Sequence, residues 1–364
     1  MRFLAFAVLA AACGGGGGGG GGGGKVKPVG PAIDEKKAEK EAKSLASEIL
    51  ETLERGNKDN LFTLLDDSLI VFGPRRTDAA SNRTDALVAL GEVIDPKAKK
   101  KLALRSSSLD VVASSGGRSA WAFDVIDIDG EPHAITAILS NADDLWLVEA
   151  ALVAHTPSRG AIKTEQGKDS LVPPGATSKT KIDPDARGAV DKFQKGLLDQ
   201  ASWGTDLASR TDAIVIGPAV GEVTRGKMEI KKLWKKRVEQ KTRAVASGDI
   251  VASVTKDGQL AWVTAPITMV SEKLEPLPLR AFAVFEKAGN EWTLIALHEA
   301  LAVDQAGAGA AFKKTLPPAP KEPEIEAEGE KPPKKKAAKP AKDEDPPPKK
   351  KKKKKKPKPK DDDE

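Results

Sequence analysis

The chain contains no tyrosine, three histidines and one cysteine in 364 residues, and aromatic residues make up only 4% of it. The one thiol, Cys13, lies outside both regions of globular patterning. Disulfides, thiolate zinc sites and a cysteine nucleophile are therefore excluded from those regions. Without tyrosine there is no phenolic oxyanion donor. No Ser-His-Asp order, phosphate loop or metal-spaced histidine cluster appears along the sequence, so neither a cofactor nor a metal is expected. The net charge of +6 is modest, with acidic and basic residues interleaved, and speaks to solubility more than to partners.

No apolar run approaches the ~20 residues that span a bilayer as a helix. The N-terminal run, Phe3 to Ala12, follows a basic start at Arg2 and ends in small residues, the order of a secretory signal. Cys13 directly after Leu9-Ala10-Ala11-Ala12 resembles a bacterial lipoprotein signal. That resemblance implies a signal over 1–13, lipidation of Cys13 after cleavage, and a membrane anchor. Residues 14–32 are a Gly-rich flexible linker suited to a tether. Gly14 after the cysteine implies, by resemblance to enterobacterial sorting, an outer-membrane lipoprotein of the cell envelope.

Two stretches share one pattern. From Asp34, a reasonable N-cap, Ala38, Ala42, Leu45, Ile49 and Leu53 recur at helical spacing, and Gly56-Asn57 ends the helix. A short helix around Leu61 to Leu65, a strand over Leu69 to Phe72, a Gly73-Pro74 stop and a helix over Thr84 to Leu90 follow. From Leu109 the apolar period becomes two, giving strands at Leu109–Val111, Ala120–Val125, Ala134–Leu139 and Leu145–Val153. The second stretch begins at Asp183-Pro184 with a stripe of Val190, Phe193, Leu197 and Leu198. Helical Trp203 to Leu207, a strand over Ala213 to Ile216, a Gly217-Pro218 stop, a helix over Met228 to Trp234 and four strands between Ile250 and Val303 follow. In each, one Trp opens a middle strand (Trp121, Trp262) and another opens the last (Trp146, Trp292). Shared element order, Gly-Pro stops and paired Trp positions predict an internal duplication.

The carrying residues are Ile214-Val215-Ile216-Gly217-Pro218, Arg225-Gly226 ahead of a helix, Ala261-Trp262-Val263, and Trp292-Thr293-Leu294-Ile295 with His298 beyond. They resemble the SnoaL-like domains of the nuclear transport factor 2-like superfamily. The resemblance implies an α+β fold of two tandem cone-shaped domains, 33–157 and 183–304, joined by a linker over 158–182. In each, N-terminal helices would pack on a curved antiparallel sheet and leave a conical pocket. It also implies a choice between small-molecule binding and enzymes of isomerase, cyclase or hydratase type, because fold does not decide function.

His298 is the foremost candidate for chemistry, since alternation predicts that it shares a face with Trp292, Leu294 and Ala296. Leu152 stands at the matching position of the first stretch. Arg280, alternating with Phe282 and Val284, is a candidate for an anionic ligand group. Asp124 could act as a buried carboxylate, and Trp121 and Trp262 as ligand platforms or as core. His133, beside a Gly-Glu-Pro turn, is expected to be solvated. The balance favours binding over catalysis.

Residues 305–364 are rich in Pro, Lys and Glu and lack the apolar residues needed for a core, so they read as a disordered tail. Its Lys349–Lys356 run would attract anionic lipids or envelope polymers in an exported protein; the alternative is a cytoplasmic polyanion-binding protein whose tail takes nucleic acid. The expected partners are the membrane through Cys13, anionic envelope molecules through the tail, and a small apolar ligand in the cones. Pairing of the two domains, or a homodimer, is a further expectation.

Overall fold

The computed structural model describes residues 33–73, 79–91, 103–128, 130–166, 171, 182–272 and 274–301. The signal with Cys13, the Gly-rich stretch, most of 158–182 and the tail with Lys349–Lys356 lie outside the described residues. Among the described residues no helix is long and apolar enough to cross a membrane.

The first half runs α1 (Glu35–Arg55), α2 (Lys58–Leu64), β1 (Leu65–Phe72), β2 (Ala79–Ala80), α3 (Arg83–Gly91), β3 (Leu104–Ser106), β4 (Asp110–Ala113), β5 (Ser119–Ile128), β6 (Glu131–Ala142) and β7 (Leu145–His155). The Asp34 side chain accepts the Lys37 amide at 3.0 Å and starts α1. Gly56, at φ 70°, ends it in a left-handed cap where a side chain would be strained. Ala38, Ala42 and Leu45 form the buried stripe between these caps.

Between the halves, α4 (Arg159–Glu165) occupies part of the expected linker. Ser158 caps it, and Ala161 and Ile162 are buried in the core of the second half. The stretch is polar overall, so two apolar residues on one short turn gave too little periodicity to be read. The second half follows with α5 (Arg187–Leu198), α6 (Gln200–Leu207), β8 (Ile214–Ile216), β9 (Val223–Arg225) and α7 (Lys227–Glu239). It ends with β10 (Arg243–Ala246), β11 (Val251–Val254), β12 (Leu260–Val270), β13 (Leu277–Ala288) and β14 (Glu291–Leu301). Gly204 of α6 lets the helix approach Trp234, whose ring would lie 2.3 Å from any Cβ placed there. Leu198, expected on the stripe of α5, is 92% exposed because the helix ends there and Asp199 turns the chain to cap α6.

The fold is α+β, with two seven-stranded sheets. Their strand orders are β2-β1-β7-β6-β5-β3 with β4 also on β5, and β9-β8-β14-β13-β12-β10 with β11 also on β12. The connectivity is the same in both. Each contains one parallel pair, β1 with β7 and β8 with β14, and is otherwise antiparallel. One face of each sheet packs on its own helices. The other faces meet in one apolar layer, in which Phe72, Trp121, Phe123, Ile138 and Leu152 lie against Ile216, Trp262, Phe282, Val284 and Ile295. Full burial of each large side chain contributes about 1.5–3 kcal/mol, so this layer is a core in its own right. Residues of both halves fall within one compact unit, Met1–Ala319.

A β-bulge decides which residues enter that layer. In β7 the register runs from Leu139↔Val148 to Ile138↔Ala150, leaving Glu149 as the extra residue. In β14 it runs from Phe285↔Leu294 to Val284↔Ala296, leaving Ile295. An extra residue breaks the period of two. Trp292 and Leu294 therefore face the helices, whereas Ala296 and Ala300 face the other sheet.

Candidate functional site

The bulge at Ile295 moves His298 off the face it was expected to share with Trp292 and Leu294. It sits instead between the sheets, 1% exposed, with Nδ1 2.9 Å from the Thr136 hydroxyl of the first half. Its Nε2 has no hydrogen-bond partner among the described residues. Burial drives the imidazole pKa down to about 3, so it is neutral. The same layer holds the other second-half candidates. Trp262 stacks on Phe282 with ring centroids 5.7 Å apart, and the Arg280 guanidinium lies 4.4 Å above the Phe72 ring. Trp121 packs there as well. Trp121, Trp262, Arg280 and His298 thus join the two halves and line neither cone.

Polar groups rim this layer. Arg225 reaches Asp110 at 3.0 Å, Ser119 donates to Asp257 at 2.8 Å, and the Ser115 amide donates to Glu286 at 3.0 Å. Lys256, on the turn between β11 and β12, pairs with Asp66 of β1. Burial alone would raise the Asp66 pKa, but Lys256 and Ser68 outweigh it and hold the carboxyl below its ordinary value. Glu149, the bulge residue of β7, accepts a 2.5 Å hydrogen bond from Ser140 and is 9% exposed. Burial raises its pKa to about 7.

Asp124 is the one sequence candidate that faces a cone. In the first half, α1, α2 and the helix-side face of the sheet enclose a cavity of about 180 Å³. Leu53, Leu69, Ile126, Ile135, Ala137 and Val153 are among its lining residues, and Asp124 reaches it from β5. Asp124 is 5% exposed. Its Oδ1 accepts the Ser108 amide at 3.2 Å, while Oδ2 has no hydrogen-bond partner among the described residues. Burial raises its pKa, with hydrogen bonds from Ser106 and Ser108 opposing. The carboxyl therefore holds its proton to higher pH than an ordinary aspartate and can donate as well as accept a hydrogen bond.

The second half presents a different space. Its cleft, about 530 Å³, is lined by charged residues as well as apolar ones, with Arg159 and Lys163 of α4 at its edge. At its base Glu299, 2% exposed, accepts bonds of 2.8 and 2.6 Å from Arg237, whose guanidinium also lies over Trp234. This bidentate pair neutralises itself. Neither Arg237 nor Glu299 was singled out from sequence. The available signal was an acidic residue inside an apolar strand, Leu297-His298-Glu299-Ala300-Leu301, which Glu149 repeats in Val148-Glu149-Ala150.

His133 is also misplaced by the sequence reading. It is 5% exposed rather than solvated, because Glu131 begins β6 and draws His133 into the sheet opposite His155. The ring centroids are 4.3 Å apart.

Residues 203–304 match the family model described as the SnoaL-like domain. Among solved structures, the chain is similar to an NTF2-like protein of unknown function from Pseudomonas putida, at 12% identity over 34% of this chain and 92% of that one, with a TM-score of 0.31. A putative dehydratase from the NTF2-like family of Streptomyces avermitilis gives 12% identity, 34% and 99% coverage, and a TM-score of 0.31. A putative scytalone dehydratase from Novosphingobium aromaticivorans gives 12% identity, 33% and 86% coverage, and a TM-score of 0.30. No curated protein matches the chain. Residues 203–304 are thus similar to the SnoaL-like domain.

Proposed function

We propose that the protein is an envelope lipoprotein, anchored through Cys13, whose first half binds a small apolar molecule carrying one hydrogen-bonding group. The observation that carries the binding reading is the aliphatic cavity of about 180 Å³ with a single buried carboxyl, Asp124, reaching it. An apolar cavity of ~150 Å³ admits benzene, so the ligand is of one-ring size. Asp124 supplies orientation through Oδ2, which has no hydrogen-bond partner among the described residues. Binding sites of this kind combine apolar walls with few placed polar groups.

Two features favour binding over catalysis. His298 lies between the sheets and away from both cavities, and Asp124 is the one titratable group among the residues lining the first cavity. The charged cleft of the second half supports the alternative of a SnoaL-like enzyme only weakly, because Arg237 and Glu299 consume each other. The Lys349–Lys356 run adds attraction to anionic envelope surfaces in this reading.

The test is calorimetric titration with a one-ring probe, phenol, against the native chain and against Ala137→Leu and Ala151→Leu. These alanines are cross-strand partners, and both line the cavity. Saturable binding that is lost in both variants, with melting unchanged, is expected. Equal binding by all three chains would sink the reading.

A further inference from the structure

We propose that Glu131, His133 and His155 form a binding site for a divalent first-row metal ion of the zinc type. One donor atom from each residue lies within 4.8 Å of the other two. Strand register creates the group. His133 of β6 and His155 of β7 are direct cross-strand partners, and Glu131 stands two residues before His133 on the same face. Two of the chain's three histidines thus meet at one point although 22 positions separate them in sequence.

The donor chemistry selects the ion. Two imidazoles and a carboxylate suit zinc, cobalt or nickel, whereas magnesium and calcium require mostly oxygen ligands. A zinc-type ion holds nitrogen at about 2.0–2.1 Å and oxygen at about 2.0–2.2 Å, which sets donors on one ion within about 4 Å of each other. Small rotations of the side chains meet that limit. His133 is oriented already, because its Nδ1 lies 2.8 Å from the Glu131 carbonyl oxygen. A carbonyl only accepts, so Nδ1 of the neutral ring carries the proton and Nε2 holds the lone pair. Such a backbone partner is the usual support for a ligating histidine. Glu131 Oε2 lies 4.0 Å from His155 Nδ1, and the two side chains are 15% and 20% exposed. The group is sheltered yet reachable. Three protein donors leave a fourth tetrahedral position for water or another small donor.

The site lies on the helix-side face of the first sheet, where Ile126 and Ile128 pair with His133 and Glu131 and also line the cavity. The proposal does not depend on what that cavity binds.

The test is titration of the chelator-treated full chain with Co²⁺, read by visible absorption, and equilibrium dialysis with Zn²⁺. One equivalent should bind, with tetrahedral-type visible bands and no thiolate charge-transfer band, since the only thiol is Cys13. His155→Gln should weaken binding by about tenfold or more. Glu131→Gln, at the half-buried start of β6, should do the same while melting of the metal-free chain stays unchanged. Absence of a saturable site, or wild-type affinity in both variants, would overturn the proposal. The cavity variants Ala137→Leu and Ala151→Leu should keep the metal, which separates this site from the apolar one.

Discussion

Glu149→Gln should stabilise the protein in alkali and do little in acid. Glu149 is the extra residue of the β7 bulge, 9% exposed, with Ser140 donating to it. Burial raises its pKa from 4.5 to about 7, with Lys256 lowering it and Asp66 and Asp257 raising it by smaller amounts. The folded-state value lies above the unfolded one, so folding favours the protonated form. That contribution is complete below about pH 4.5 and lost as pH rises through about 7. At ~1.4 kcal/mol per pH unit of difference, the ionised carboxylate costs about 3 kcal/mol above the upper value. Glutamine keeps the shape and the acceptor for Ser140 but cannot ionise. In urea unfolding at about pH 8.5, Glu149→Gln should exceed the native chain by about 3 kcal/mol, and near pH 5 the gap should fall below about 1 kcal/mol. Comparing the two chains cancels the titration of every group they share. A gap that does not vary with pH, or a more stable native chain at pH 8.5, would refute the reasoning.

The layer between the sheets should behave as a core, so Phe282→Ala, which removes the stacking partner of Trp262, should cost about 3–5 kcal/mol in denaturant unfolding. One transition should shift as a whole, and early melting of the second half alone would contradict a shared core. The proposed anchor predicts a mature chain that begins at lipid-modified Cys13 and fractionates with membrane, with Cys13→Ala losing both properties. Intact mass and fractionation check this, and a soluble chain still starting at Met1 would contradict it.

Local elements were largely legible because their signals are local. Asp34 and Gly56 bracket α1 as their side-chain chemistry requires, and period-two runs mark the long strands. Faces were less legible, because a single bulge residue inverts everything after it. Alternation read from Trp292 placed His298 on the helix side, and Ile295 reversed that. The strand expected over Ala120–Val125 extends to Ile128, and its helix-side face brings Asp124 to the cavity. The His133–His155 pair is a product of register, which no spacing along the chain reports. Packing of the two sheets against each other places Trp121, Trp262, Arg280 and His298 between them, and Asp124 is the polar group lining the first cavity.

The central claim is an apolar cavity oriented by one carboxyl, and it is tested most directly by comparing phenol with benzene. Their affinities would be measured by calorimetry or chemical-shift titration for the native chain and for Asp124→Ala. The native chain should bind both and prefer phenol, by roughly 1 kcal/mol or about fivefold, the net worth of one hydrogen bond. In Asp124→Ala that preference should vanish while benzene still binds. Failure of both compounds to bind the native chain, or an unchanged phenol preference in Asp124→Ala, would contradict the account.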